Sequence, residues 1–197
     1  MELRNPAGFG LRVDFEFRQD RWMHRIHCLG VGRTHRLLLA SVEGTSSDRW
    51  PPSPPLQELV IERRSDPSAE GNAPQAALTR RVALLLGRAG SGHWSASLEL
   101  FNDPVRLVVD VACRSAERPE FIGSSFLSSN APFRRADVRD QLELWRDTAT
   151  IVALTLSAGK LHLSPANPLE VRICPEPLDP PATWRWCYSI AIKVAAA

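Results

Sequence analysis

Lysine is almost missing from this chain: of 197 residues only Lys160 and Lys193 are lysines, and 22 arginines supply the remaining positive charge. Aspartate and glutamate also total 22, so the net charge is only +2. That balance excludes the basic excess that draws proteins onto nucleic acid, and the arginine preference reads as GC-rich coding. Cysteine is sparse as well. Cys28, Cys113, Cys174 and Cys187 stand far apart with no Cys-x-x-Cys interval, which argues against a thiolate zinc knuckle or a disulfide-dense scaffold and for reduced thiols. No run approaches the roughly 18 apolar residues of a membrane helix. Residues 1–6, Met-Glu-Leu-Arg-Asn-Pro, lack the apolar stretch of an export leader, so the expected setting is cytoplasmic, with no membrane partner. Hydrophobic residues make up 44% and charged residues 23%, enough to build a packed core, and the length suits one domain over 1–197.

What is abundant is alternation. In Leu11-Arg12-Val13-Asp14-Phe15-Glu16-Phe17-Arg18 the apolar side chains occupy one parity and the charges the other, the pattern of a half-buried antiparallel strand. The same period predicts strands over 23–31, 35–42, 94–100, 105–113, 150–157, 161–163, 169–174 and 184–194. In the last of these, Trp184, Trp186, Tyr188, Ile190, Ile192 and Val194 share a face. Two segments read as helices. Pro74–Leu86 is rich in helix formers, with Leu78, Val82, Leu85 and Leu86 on one stripe, and Asp137 caps a second with Val138, Leu142 and Trp145 at helical spacing. The expected fold is therefore mainly β, α+β at the margin: one antiparallel sandwich or barrel of about nine strands with one or two short helices. Gly44–Pro55, Ser65–Pro74 and Arg114–Pro119 read as surface loops.

Chemical motifs are thin. Gly87-Arg88-Ala89-Gly90-Ser91-Gly92 lacks the Gly-Lys-Ser/Thr ending of a phosphate loop, and no Gly-x-Ser-x-Gly elbow is present. His24, His27, Cys28 and His35 form the densest group of metal-ligand types. On a strand, however, residues 24 and 28 share one face while 27 and 35 take the other parity, so no metal is expected there. Trp22 and Trp50, in or beside loops, are the tryptophans most open to stacking on a sugar, the others falling on core parity.

The polar side of the strands carries Asp14, Glu16 and Arg18, Arg106 and Asp110, and Glu170 with Arg172. Asp14-Phe15-Glu16-Phe17-Arg18 resembles the Glu-x-Glu-x-Lys signature near the N-terminus of triphosphate tunnel enzymes, with two of its three residue types changed. The resemblance implies a metal-dependent phosphohydrolase acting on a polyphosphate inside a charged β-barrel, in which those seven residues hold magnesium or manganese and grip phosphate. The favoured expectation is plainer: a noncatalytic β-domain that binds a protein partner or small ligand and needs no cofactor. Its oligomeric state is open.

Overall fold

A computed structural model describes residues 1–31, 34–65, 79–128, 134–135, 141–146, 150–164 and 169–194. The described residues contain fifteen strands and no helix. In chain order these are β1 (Glu2–Arg4), β2 (Gly10–Arg18), β3 (Arg21–Leu29), β4 (His35–Ser41), β5 (Leu56–Ser65), β6 (Thr79–Ala89), β7 (Gly92–Asn102) and β8 (Val105–Ser115). They continue with β9 (Ser124–Ser128), β10 (Arg134–Arg135), β11 (Gln141–Arg146), β12 (Thr150–Ala158), β13 (Lys160–Ser164), β14 (Leu169–Cys174) and β15 (Ala182–Val194). They form two antiparallel sheets, ordered β1-β2-β3-β4-β9-β14-β13 and β10-β11-β12-β15-β8-β7-β6-β5. One apolar core between them draws residues from both, among them Leu11, Ile26, Leu38 and Phe126 from the first and Leu98, Leu107, Trp186 and Ile190 from the second. The molecule is a sandwich rather than a closed barrel.

The alternating strands lie where the period placed them. The segment read as helical from Pro74 to Leu86 is corrected from Thr79 onward: Thr79–Leu86 belongs to β6, held between β5 and β7, while 74–78 fall outside the described residues. Helix propensity is worth only tenths of a kcal/mol per residue, and a complete ladder on both sides outweighs it. Ala83 and Leu85 turn inward and Leu84 and Leu86 outward, an alternation that a Leu-Leu-Leu run conceals. The second expected helix is likewise corrected: Leu142 and Trp145 lie on β11, with Asp137 and Val138 outside the described residues. The strands beyond the expected nine are β1, β5, β6, β9, β10 and β11, mostly edge or short segments with weak alternation of their own. The glycine-rich segment 87–92 ends β6 and begins β7. Gly90 takes φ +53° at the turn between them, so it is a hairpin tip with no helix behind it.

The chain crosses from one sheet to the other after β12. A register shift between Leu156 and Ala158 and the positive φ of Gly159, +105°, turn it into β13. At the centre, β15 pairs with β12 on one side and β8 on the other, and Trp184, Trp186, Tyr188, Ile190 and Ile192 all point inward.

This burial sets a stability expectation. Ile190→Ala, which empties a fully buried position, should cost about 2–5 kcal/mol. Leu86→Ser, at a position 53% exposed, should change stability by no more than about 0.5 kcal/mol. Urea unfolding of the two variants beside the parent checks both, and equal losses would contradict the inward facing of β15.

Candidate functional site

The interior is largely apolar, and among the described residues the charged groups gather on the outer faces, at the sandwich ends and in one buried cluster. The residues of the phosphohydrolase expectation lie on outer faces and do not converge. Asp14, Glu16 and Arg18 sit on β2, where Arg12 and Arg18 pair with Asp14 and Glu16 at 2.6 Å and Arg25 and His27 extend the network from β3. Glu170 and Arg172 pair with each other on β14, in the same sheet but beyond β3, β4 and β9. Arg106 and Asp110 belong to the other sheet, Arg106 over the Phe101 ring and Asp110 bound to Arg185. The charged chamber which that reading requires is filled by leucine, valine and aromatic side chains.

The histidine cluster separates as strand parity dictates. His24 turns inward between Phe15 and Phe126, whereas His27 faces Asp14 at 3.3 Å, and its ring centroid lies 6.1 Å from that of His35. Cys28 is buried, and none of the four cysteines forms a disulfide. No group of three His, Cys, Asp or Glu side chains is placed to hold a metal among the described residues. Of the two tryptophans singled out as open platforms, Trp22 is covered edge-on by Phe17 and Trp50 is partly buried against the core.

The buried polar cluster spans β3, β4 and the segment that follows. Ser41 Oγ accepts the His24 backbone N–H at 2.9 Å and donates to Glu43 Oε1 at 2.5 Å. Arg21, 2% exposed, donates through Nε and Nη2 to Asp20 and through Nη2 to the Thr45 carbonyl at 2.9 Å. Desolvation pushes the Glu43 carboxyl up to about 7, opposed by the Ser41 hydrogen bond and the Arg21 charge, and pushes His24 down to about 4. Nothing in the local sequence marks Glu43. Its burial follows from the chain folding back over the end of β3.

The cavity with the character of a ligand site lies where the sheets part at the β3–β4 end. It measures about 700 Å³ and is lined by Phe9, Cys28, Gly30, Val31, Thr34, His35, Arg36 and Trp145. Its geometry follows from register. Arg36 stands opposite Cys28 and two residues before fully buried Leu38, so it occupies an inward-facing position just beyond the core. From there its guanidinium reaches the other sheet and stacks on Trp145, 5.5 Å from the ring centroid. A register shift between Glu143 and Trp145 re-aims the indole. Val31, 63% exposed, leaves an apolar wall open to solvent. Sequence reading placed His35 and Cys28 in a candidate group but missed Arg36, Phe9 and Trp145, because the two sides of the groove come from strands more than a hundred residues apart.

No family model, curated protein or solved structure gives a significant match to this chain.

The Glu43 carboxyl yields a pH prediction. Its folded pKa, about 7, lies above the ordinary 4.5, so the protonated form is the one compatible with burial. The associated stability is complete below about pH 4.5 and is lost as pH rises through 7. The loss is at most about 3 kcal/mol, less whatever solvent contact the partly covered carboxyl retains. Glu43→Gln should remove this dependence. The gap in melting temperature between variant and parent should widen in the variant's favour from pH 5 to pH 8, as thermal melts in matched buffers would show.

Proposed function

We propose that this protein is a noncatalytic ligand-binding β-sandwich whose site is the groove between Phe9, Val31, Arg36 and Trp145, and that its ligand is a small amphipathic anion. The observation that carries the reading is the Arg36 guanidinium on the face of Trp145 at the mouth of a largely apolar cavity. Its volume lies within the range of small-molecule pockets. Phe9, Val31 and the indole supply surface for an apolar body, and Arg36 supplies the charge complement for a carboxylate or sulfonate head, with His35 beside it. Binding by such a groove needs no metal or organic cofactor. The absence of disulfide bonds among the four cysteines supports a cytoplasmic, reducing location.

Titration calorimetry with decanoate, beside decanol as the uncharged counterpart, tests the proposal. Decanoate should bind at one site per chain and more tightly than decanol. Arg36→Ala should erase the preference for the acid, and Trp145→Ala should weaken both ligands about tenfold. Equal affinity for acid and alcohol in the parent, or unchanged binding in both variants, would refute it.

A further inference from the structure

One cross-strand row on the outer face of the larger sheet gathers arginine without a carboxylate partner. Arg12, Arg18, Arg64, Arg146, Arg172 and Arg185 each meet a carboxylate, so a paired arginine is the common case on this surface. In one row across β6, β7, β8 and β15 that rule breaks, although Arg80 with Glu99 and Arg185 with Asp110 keep it elsewhere on these strands. Arg88 is opposite His93, His93 opposite Arg114, and Arg114 opposite Thr183, so the four form one continuous cross-strand row. All four side chains are exposed. Neither arginine takes part in an ion pair among the described residues. The two arginines stand on β6 and β8 with only β7 and its His93 between them, so the row gathers positive charge with no carboxylate inside it.

The surroundings preserve the imbalance. Glu117 is engaged by Arg49 and Asp110 by Arg185, and the carboxylate nearest the row is Glu58, opposite Leu86 on the edge strand, which lines the outer margin of the smaller depression beside Arg88. The Gln57 side chain clamps the Arg88 backbone, accepting its N–H at 3.1 Å and donating to its carbonyl at 3.3 Å. Two depressions meet along the row, of about 690 Å³ on the side of Ser91 and Ser115 and about 470 Å³ on the side of Leu86 and Ser95, and His93, Arg114 and Thr183 border both. The hydroxyls of Ser91 and Ser115 lie 3.2 Å apart at one margin.

We propose that the Arg88–His93–Arg114–Thr183 row is a second binding site, for a diphosphate-type oxyanion bridging the two guanidinium groups. Two interstrand spacings separate the arginine Cα atoms, about 10 Å, a span that lets both side chains converge on one diphosphate. Planar guanidinium groups match phosphoryl oxygens in pairs, and the central histidine and terminal hydroxyl add donors between and beside them. The site is separate from the Arg36 groove and stands or falls independently of it.

Inorganic pyrophosphate is the probe, titrated by calorimetry into the full chain at low ionic strength, with orthophosphate and ionic-strength-matched potassium chloride in parallel. Pyrophosphate should bind several-fold more tightly than orthophosphate and raise the melting temperature, with chloride giving no comparable rise. Arg88→Gln and Arg114→Gln, both at exposed positions, should each weaken pyrophosphate about tenfold, the scale of losing one charge-assisted contact. Arg63→Ala, which removes the same charge from the β5 edge, should leave the affinity within about twofold, as expected of a distant charge screened by solvent. Without anion, each Gln variant should melt close to the parent, because an exposed arginine outside any ion pair contributes little to stability. Equal affinity for ortho- and pyrophosphate, unchanged binding in both Gln variants, or stabilisation reproduced by chloride would overturn the proposal.

Discussion

The inward face of β15 must be kept from water, and much of the molecule is arranged around that requirement. Trp184, Trp186, Tyr188, Ile190 and Ile192 sit on the central strand of the larger sheet, where β8 and β12 occupy both hydrogen-bonding edges and leave only the opposing sheet to cover them. That cover comes from β9. The Trp186 indole N–H donates to Ser124 Oγ at 2.9 Å, and Phe126 meets Tyr188 edge-on. Trp94 adds a further edge-on contact from β7. Large aromatic faces give most of their stabilisation only when water is excluded. Strand β9, short and unremarkable in sequence, is thereby fixed in the middle of the smaller sheet.

A core so thoroughly apolar displaces function to the periphery. Alternation sends every second residue outward, and on most strands the outward charges neutralise one another, as in the network joining Arg12, Asp14, Glu16, Arg18 and Arg25. Exposed pairs of this kind contribute little to stability, and their job is to keep the surface polar and patch-free. Departures from that pattern therefore carry information. Arg36 faces inward at a sheet end and lays its guanidinium over an aromatic ring. Arg88 and Arg114 flank a histidine with no carboxylate in their row. The Arg21–Glu43 region is a third departure, where ionisable groups are withdrawn from water and their protonation becomes coupled to folding.

The fold was legible where the two faces of a strand differ in polarity. Val105–Ser115 and Ala182–Val194 announce themselves because most of their inward residues are large or branched apolar ones and most of their outward ones are small, polar or charged. Legibility failed at β6, where Leu84, Leu85 and Leu86 look alike although Leu85 alone of the three is buried. It failed also at β11, whose Leu142 and Trp145 fit helical spacing as readily as a strand interrupted by a bulge. For the candidate sites the loss was greater. His35 stood out by residue type, but the groove depends on which indole faces Arg36 across the gap between sheets, and the oxyanion row depends on how three hairpin and crossover connections set the register of four strands.

The sequence by itself therefore determined the class of the protein, an antiparallel β structure with a large apolar core and a balanced charged surface, because period-two patterning acts residue by residue and needs no knowledge of neighbours. Tertiary structure alone decided sandwich over barrel, the strand identity of 79–89, and which polar groups come together. Those outcomes are set by strand order and register, which arise from pairing between segments far apart in the chain. A single residue's chemistry does not encode its cross-strand neighbour, so Arg88 and Arg114 acquire a shared purpose only once β7 has been laid between them.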